Sequence, residues 1–238
     1  MMHPELLHPL PVRARPVLPA PATLARAQEG RAFPIPAEWI HDGALRAFRG
    51  DAGYLGRSIA ALKLYLALVV SQDATSAADE QPPILLSYER ITALCGLSDP
   101  LICAGKKALL DQGLVTTCGD RQGGTIAYRL TGLHPSKAAA SVRRAPPDGA
   151  RIAALHGLTC RTAPNLAALK TYIWLSAQES DRDGVVSLDV DTASGLTKTS
   201  HVKIIAALAG LQELGLAQEL GTPSRLAEQR RVRVLPLR

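Results

Sequence analysis

A short segment that occurs twice constrains the fold of this chain more than any other feature. The sequence AALKLYL at residues 60–66 recurs as AALKTYI at residues 167–173, with five of seven positions identical. The second copy begins 107 residues after the first. Repeats of solenoid proteins are much shorter, so a repeat at this spacing indicates two copies of a domain.

The segments that follow the two copies keep the same order of patterns. Both copies have apolar residues at helical spacing, and each is followed by a polar stretch and a short β-prone run, at residues 84–86 and 185–188. A second helix is then predicted to stop at Gly96 or Gly195, and a third to begin at a cap formed by Ser98 or Thr197. Two β-prone runs around a turn predict a closing hairpin.

This order, helix, strand, helix, turn, helix and hairpin, predicts a mainly α fold with small β-hairpins, of the α+β class. Only 4% of the residues are aromatic, which favours helices built from Ala and Leu over an aromatic-rich β-sandwich. We expect a disordered leader rich in Pro and Arg over residues 1–32, a first domain with an N-terminal extension over 33–133, a linker over 134–162 and a second domain over 163–238. Within the linker, Ile152, Leu155 and Leu158 are spaced to form one short docking helix.

In both copies, Gly-Leu-Ser/Thr precedes the third helix, and Gly-Leu followed by a basic hairpin comes after it. This pattern resembles the winged-helix superfamily of helix-turn-helix domains over residues 55–133 and 163–238. Two tandem winged-helix domains on a basic chain look like the initiators of plasmid replication. The resemblance implies sequence-specific binding of double-stranded DNA, with the third helix of each module in the major groove and the hairpin, or wing, against the backbone.

The second copy has the residue types that DNA contact requires. If Val202, Ile205, Leu208 and Leu211 face the core, the polar residues at the start of the third helix face outward. These short hydrogen-bonding and cationic groups suit base edges and phosphates. The predicted contacts of the helix are Lys198, Thr199, Ser200, His201 and Lys203, and those of the wing are Arg225, Arg230, Arg231 and Arg233.

The first copy is a poorer candidate for reading DNA. Asp99 repels phosphate, and Leu101, Ile102 and Cys103 offer little hydrogen bonding at the start of its third helix. We therefore expect this module to clamp phosphates or to bind a second copy or another protein. Its predicted DNA contacts are Ser98, Lys106, Lys107, Arg121 and Arg129.

Composition and motifs exclude several other classes. The chain carries 27 Lys and Arg against 21 Asp and Glu, a net charge of +6 that suits a polyanionic partner. No apolar run approaches the length of a membrane span, and the four cysteines lack the paired spacing of a zinc site. Catalytic motifs are absent, so we expect no enzyme, no metal and no cofactor. A cytoplasmic, nucleoid-associated protein without a membrane partner is the corresponding expectation.

Three functions are compatible with two tandem winged-helix domains. The first is a replication initiator or a regulator of a mobile element, and the second is a transcriptional regulator of the winged-helix type. The third is a non-enzymatic interaction subunit of a chromosome-condensing or scaffold complex, for which the apolar start of the first module's third helix is the supporting feature.

Overall fold

The computed structural model describes residues 31–72, 82–122, 124–132, 141–144, 151–181, 183–221 and 229–238. The predicted disordered leader, residues 1–32, lies outside this part of the chain except for its last two residues. These two, Arg31 and Ala32, belong to the first strand, β1 (Arg31–Pro34). A short helix α1 (Glu38–His41) and a 3₁₀ helix (Ala44–Ala47) follow before the first repeat begins.

The first repeat consists of a helix, a strand, two helices and two strands. In chain order they are α2 (Leu55–Val69), β2 (Ile84–Ser87), α3 (Tyr88–Cys95), α4 (Asp99–Asp111), β3 (Val115–Gln122) and β4 (Thr125–Leu130). The three strands form an antiparallel sheet in the order β2-β4-β3.

The second repeat has the same order of elements. They are α6 (Ala163–Ser176), β6 (Val185–Asp189), α7 (Val190–Thr197), α8 (His201–Glu213), β7 (Ala217–Leu220) and β8 (Gln229–Val234). Its sheet has the corresponding strand order, β6-β8-β7, and is also antiparallel. The structure is therefore mixed helix and small sheet, which agrees with the α+β class predicted from sequence.

The turn between the second and third helices differs from the prediction in the second repeat. In the first repeat Gly96 ends α3 in the left-handed conformation, at φ 67°. In the second repeat α7 continues past Gly195, and Lys198 takes the left-handed conformation at φ 52°. Thr197 is not the cap of the third helix, because its hydroxyl donates 2.7 Å to the carbonyl of Ala193 within α7. Ser200 occupies the capping position of α8 instead.

The helices α2 and α6 carry the two copies of the repeated heptapeptide and form the centre of the core. Residues 58–69 of α2 and residues 166–176 of α6 are all buried, so each helix is covered on every side. The two helices pack against each other, and α4 and α8 pack on their outer sides. The buried apolar residues of both repeats form one continuous cluster.

Two short segments cross between the repeats. The 3₁₀ helix precedes the first repeat but packs on α7 of the second. The helix α5 (Ala153–Gly157) precedes the second repeat but packs on α3 of the first, where the Ile152 amide donates 2.9 Å to the Leu94 carbonyl. The prediction of a short docked helix is confirmed, because Ile152, Leu155 and Leu158 are buried.

The strands that precede these two segments also pair with each other. β1 forms an antiparallel ladder with β5 (Ser141–Arg144), in which Arg31 is opposite Arg144 and Pro34 is opposite Ser141. The sequence did not indicate this ladder. The exchange of the two short helical segments is thus reciprocal, and the pairing of β1 with β5 adds a further connection.

The crossing of α2 and α4 depends on Gly105, and this dependence can be tested. A Cβ at Gly105 would lie 2.9 Å from backbone atoms of Ala60 and Ala61, which cannot move away as a side chain would. We expect Gly105→Ala to lower the free energy of unfolding by about 1–3 kcal/mol through overpacking. Urea denaturation followed by circular dichroism measures the change.

Gly210, in the corresponding helix α8, supplies the matched control. A Cβ there would have no atom within 4 Å. Gly210→Ala should therefore stabilise the protein by roughly 0.5–1 kcal/mol, because alanine restricts the unfolded chain and favours helix. Equal effects of the two substitutions would contradict the close approach of α2 and α4.

Candidate nucleic-acid interface

The first turn of α8 presents a row of exposed side chains. Ser200 at the capping position and His201, Val202 and Lys203 in the helix are all exposed, and its first turn contains no acidic residue. Ser200, His201 and Lys203 therefore face outward, as the sequence predicted. The Ser200 side chain is exposed, and its hydroxyl makes no capping hydrogen bond to the helix.

Val202 was predicted to face the core, and this prediction is wrong. Its side chain is 77% exposed. The buried residues of α8 are Ile204, Ala207, Leu208 and Leu211, which follow the helical spacing of three and four residues. The apolar residues between Val202 and Leu211 are compatible with two different buried faces of the helix, and both faces contain Leu208 and Leu211. The packing of α8 against α6 determines which face is buried.

Thr199 was predicted to face outward and instead points inward. It is 7% exposed, and its hydroxyl lies 3.5 Å from the carbonyl oxygen of Thr197. The left-handed conformation of Lys198 changes the direction of the chain, so the next residue, Thr199, is directed toward the interior. Lys198 itself remains exposed and is the only non-glycine residue with positive φ in the described part of the chain.

Acidic residues of α7 lie beside this row. The Asp191 carboxylate is 2.9 Å from Nε2 of His201, and both side chains are more than half exposed. Asp189 caps α7, and hydrogen bonds from the Thr192 hydroxyl and from the backbone amides of Thr192 and Asp191 lower the pKa of its carboxyl. The acid next to His201 orients the imidazole across the turn.

The predicted wing arginines do not share one environment. Arg230 is 6% exposed, and its guanidinium donates 2.5 Å to the Glu219 carboxylate on β7, so its prediction as an exposed DNA contact is wrong. Arg231 is exposed and lies 3.9 Å from Asp181, while Arg233 is half-buried. Arg225 lies outside the described residues.

The alternation of β8 explains this difference. Alternate side chains of a strand point to opposite faces, so Arg230 shares the inner face with Val232. Burial of a guanidinium is tolerated because Glu219 supplies an opposite charge at hydrogen-bonding distance.

The third helix of the first repeat, α4, is a different surface. Ser98 and Asp99 are exposed at its start, but Ile102 is fully buried and Leu101 packs against the core. Ile102 is therefore withdrawn from the surface and Leu101 is partly exposed, and the protein-interaction hypothesis stays a prediction. Cys103 is exposed and lies 3.2 Å from the Tyr88 hydroxyl.

The predicted cations of the first repeat are partly engaged with neighbours. Lys106 donates 3.3 Å to the Tyr88 hydroxyl and lies over the tyrosine ring, and Lys107 pairs with Asp111 at 3.1 Å. Arg129 is exposed on β4. The side chain of Arg121 lies outside the described part of the structure.

Both heptapeptides contain a lysine, Lys63 and Lys170, for which the sequence pattern alone predicts no role. Lys170 is 4% exposed, and its ammonium donates 2.7 Å to the carbonyl of Thr197, directly beneath the turn that carries Lys198. Burial and, to a smaller extent, the nearby charge of Lys198 lower the pKa of Lys170 to about 8. Its counterpart Lys63 is 2% exposed and donates 2.9 Å to the carbonyl of Leu158. The sequence feature that could have indicated these buried lysines is a lysine at the same position of both copies, surrounded by apolar residues.

Comparisons with known proteins assign no relative to this chain. No family model matches it, and neither a curated protein nor a solved structure matches it. Within the described residues, no cluster of three or more His, Cys, Asp or Glu side chains could hold a metal ion. The described helices include none that is long and apolar enough to cross a membrane.

The buried charge of Lys170 gives a pH dependence of stability. Between about pH 8 and the pKa of 10.5 for an exposed lysine, the unfolded chain holds a proton that the folded chain has released. The free energy of unfolding should therefore rise with pH in this window, by up to about 1.4 kcal/mol per pH unit. Lys170→Met should lack this component of the rise.

Urea unfolding of both proteins at pH 7.5, 8.5 and 9.5 measures the difference. Groups other than Lys170 titrate equally in the two proteins, so the difference between their curves isolates this lysine. Parallel curves would show that the charge of Lys170 is not destabilised by folding.

Proposed function

We propose that this protein binds double-stranded DNA in a sequence-specific manner and that the second repeat makes the base contacts through the first turn of α8. The observation that carries the proposal is the continuous row of exposed side chains at Ser200, His201, Val202 and Lys203. Val202 and Lys203 are exposed in the first turn of the helix, so the packing of α8 does not require these residue types.

The chemistry of the row suits the major groove. Ser200 and His201 offer hydrogen-bond donors and acceptors for base edges, and Lys203 offers a cation for a phosphate or a guanine. The exposed Val202 adds an apolar contact of the kind that recognises the methyl group of thymine.

The arrangement of elements supports a winged-helix module. In such modules the third helix enters the major groove, and a hairpin after it approaches the backbone. Each repeat has three helices and a three-stranded sheet in the order that the resemblance implies. In the second repeat, Arg231 and the half-buried Arg233 on β8 are the described cations of the hairpin that are suited to a phosphate contact.

The first repeat is proposed to hold the DNA backbone without selecting bases. Asp99, Pro100 and Leu101 begin α4 at the positions that His201, Val202 and Lys203 hold in α8. An acid, a proline and a partly buried leucine therefore stand where the second repeat presents its exposed row. Lys107 and Arg129 are exposed and carry the positive charge that phosphates attract. We further propose, on the resemblance to initiators of plasmid replication, that the DNA is a replication origin or a control site of a mobile element. Regulation of transcription is the alternative role for the same binding.

Selection of bound fragments from random double-stranded DNA tests the proposed function first. We expect a recurring site, whose affinity falls steeply as salt increases because phosphate contacts release counterions. Recovery of unrelated fragments with equal affinity would contradict sequence-specific binding.

The exposed valine then tests which helix selects the bases. Val202→Ala should leave the unfolding midpoint unchanged and weaken binding to the selected site roughly fivefold, the effect of losing about one buried apolar group. The loss should vanish when one particular thymine of the site is replaced by uracil, which lacks the methyl group.

Leu85→Ala provides the control for this substitution. Leu85 on β2 is 65% exposed, so its truncation is a similar change on the first repeat. Equal affinity of Val202→Ala and the wild-type protein for the selected site would remove α8 as the recognition helix.

A further inference from the structure

A basic cleft lies beside the turn that precedes α8. Its volume is about 360 Å³, and it lies between the segment after the 3₁₀ helix, the beginning of α6 and the turn between α7 and α8. Five cationic side chains line it, with Asp51 as the one acid among the described lining residues. The cations are Arg46, Arg49, Lys170, Lys198 and Lys203.

Local contacts hold part of this charge in place. Arg46 donates from Nε to the carbonyl of Gly195 at 2.7 Å, and Lys170 donates to the carbonyl of Thr197 at 2.7 Å. Both carbonyls belong to the last turn of α7, the negative end of its helix dipole. Arg49 forms an ion pair with Asp51. The remaining cations, Lys198 and Lys203, extend from the turn and from α8 with their side chains exposed.

The first repeat shows that the fold does not need these cations. The strands that precede these segments, β1 and β5, are offset by 110 residues, which places Arg46 opposite His156 and Arg49 opposite Thr159. His156 Nε2 lies 3.0 Å from the carbonyl oxygen of Ala93 in α3, much as Arg46 contacts α7. The first repeat therefore makes the corresponding contact without an arginine.

The space that corresponds to the cleft is filled in the first repeat. Gly96 occupies the left-handed position that Lys198 occupies in the second repeat. A Cβ at Gly96 would lie only 2.8 Å from the His156 ring, so the imidazole packs directly on this turn. The open, charged form of the junction is thus particular to the second repeat.

We propose that the cleft binds a phosphate group. Guanidinium and ammonium groups converge on it from three segments, and such groups form strong charge-assisted hydrogen bonds to phosphate oxygens. Ala163, the first residue of the 14-residue helix α6, also lines the cleft, so the positive end of that helix dipole faces the same space. The volume leaves room for the group that carries the phosphate.

Two sources of this phosphate are distinguished by the experiment. One is the backbone of DNA bound by α8, which rests on the proposed function because Lys198 and Lys203 belong to both surfaces. The other is a free phosphate or phosphate ester, which is independent of DNA binding.

Titration of the full-length protein with sodium phosphate tests the free ligand. Chloride keeps the ionic strength constant, and calorimetry and thermal unfolding are the readouts. We expect saturable binding with a rise in Tm, and at least fivefold weaker binding in Arg49→Gln, whose side chain is more than half exposed and so is dispensable for folding. Lys170→Met should weaken binding as well.

Two matched controls separate the cleft from general loss of charge. Arg57 stacks on the ring of Tyr54, as Arg49 does, but does not line the cleft. Lys63 is the buried counterpart of Lys170 in the first repeat. Arg57→Gln and Lys63→Met should retain the phosphate affinity of the wild-type protein.

DNA-binding measurements on the same variants test whether the phosphate in the cleft comes from the DNA backbone. If a backbone phosphate occupies the cleft, Arg49→Gln should reduce the slope of log affinity against log salt by about one and leave the preferred sequence unchanged. Arg57→Gln should leave the slope as it is. Binding of free phosphate without an effect on DNA would support a small phosphate ligand instead.

The proposal is overturned if free phosphate does not bind saturably and Arg49→Gln leaves the salt slope unchanged. It is also overturned if the control variants lose phosphate binding to the same extent. A wild-type protein that binds no DNA would refute the proposed function, while the phosphate titration would still decide what the cleft does.

Discussion

The complete burial of α2 and α6 is the constraint on which the rest of the structure depends. A helix that is apolar on every side has to be covered on every side. Each of these helices has one face against the elements of its own repeat and another against its counterpart, and the two repeats share one core as a result. Neither central helix could be covered by its own small sheet and two short helices alone.

Burial of these helices also determines where their lysines go. Lys63 and Lys170 are within the covered surface, so each ammonium requires an acceptor from a neighbouring segment. Lys170 finds one in the last turn of α7, and Lys63 finds one in the segment after α5. The second of these acceptors belongs to the segment that crosses between repeats, which ties the position of α5 to the core of the first repeat.

The sequence predicted the order of elements well because that order depends on local patterns. Apolar spacing, glycines after helices and β-prone runs each act over fewer than twenty residues. It failed where tertiary contacts decide between two local possibilities. Gly195 was assigned to the end of a helix, yet α7 extends to Thr197, because Lys198 tolerates the left-handed conformation. The phase of α8 and the direction of Val202 were decided in the same way by packing.

Charge was the least predictable property from composition. Arg230 and Arg231 are neighbours in sequence, but one pairs with Glu219 in the interior and the other is exposed. The sequence QRRVRV of β8 could have predicted which arginine is buried, because alternate residues of a strand share a face and Arg230 is on the same face as Val232. The position of Arg46 and Arg49 in the cleft could not be predicted from the sequence. Both residues precede the first repeat in the chain, and they contact the second repeat only because the short segments are exchanged.

Each repeat serves as an internal control for the other. A residue that is present in one repeat and replaced at the equivalent position of the other is not required by the fold. A lysine in the left-handed conformation is less favourable than a glycine by about 1 kcal/mol or more. The first repeat uses glycine at this position, and the second keeps Lys198 beside Lys203 and above Lys170. Placing like charges together in a strained turn opposes folding, and the fold as such does not require it. An anionic partner at this turn would compensate both costs, and the exposed row of α8 lies at the same place.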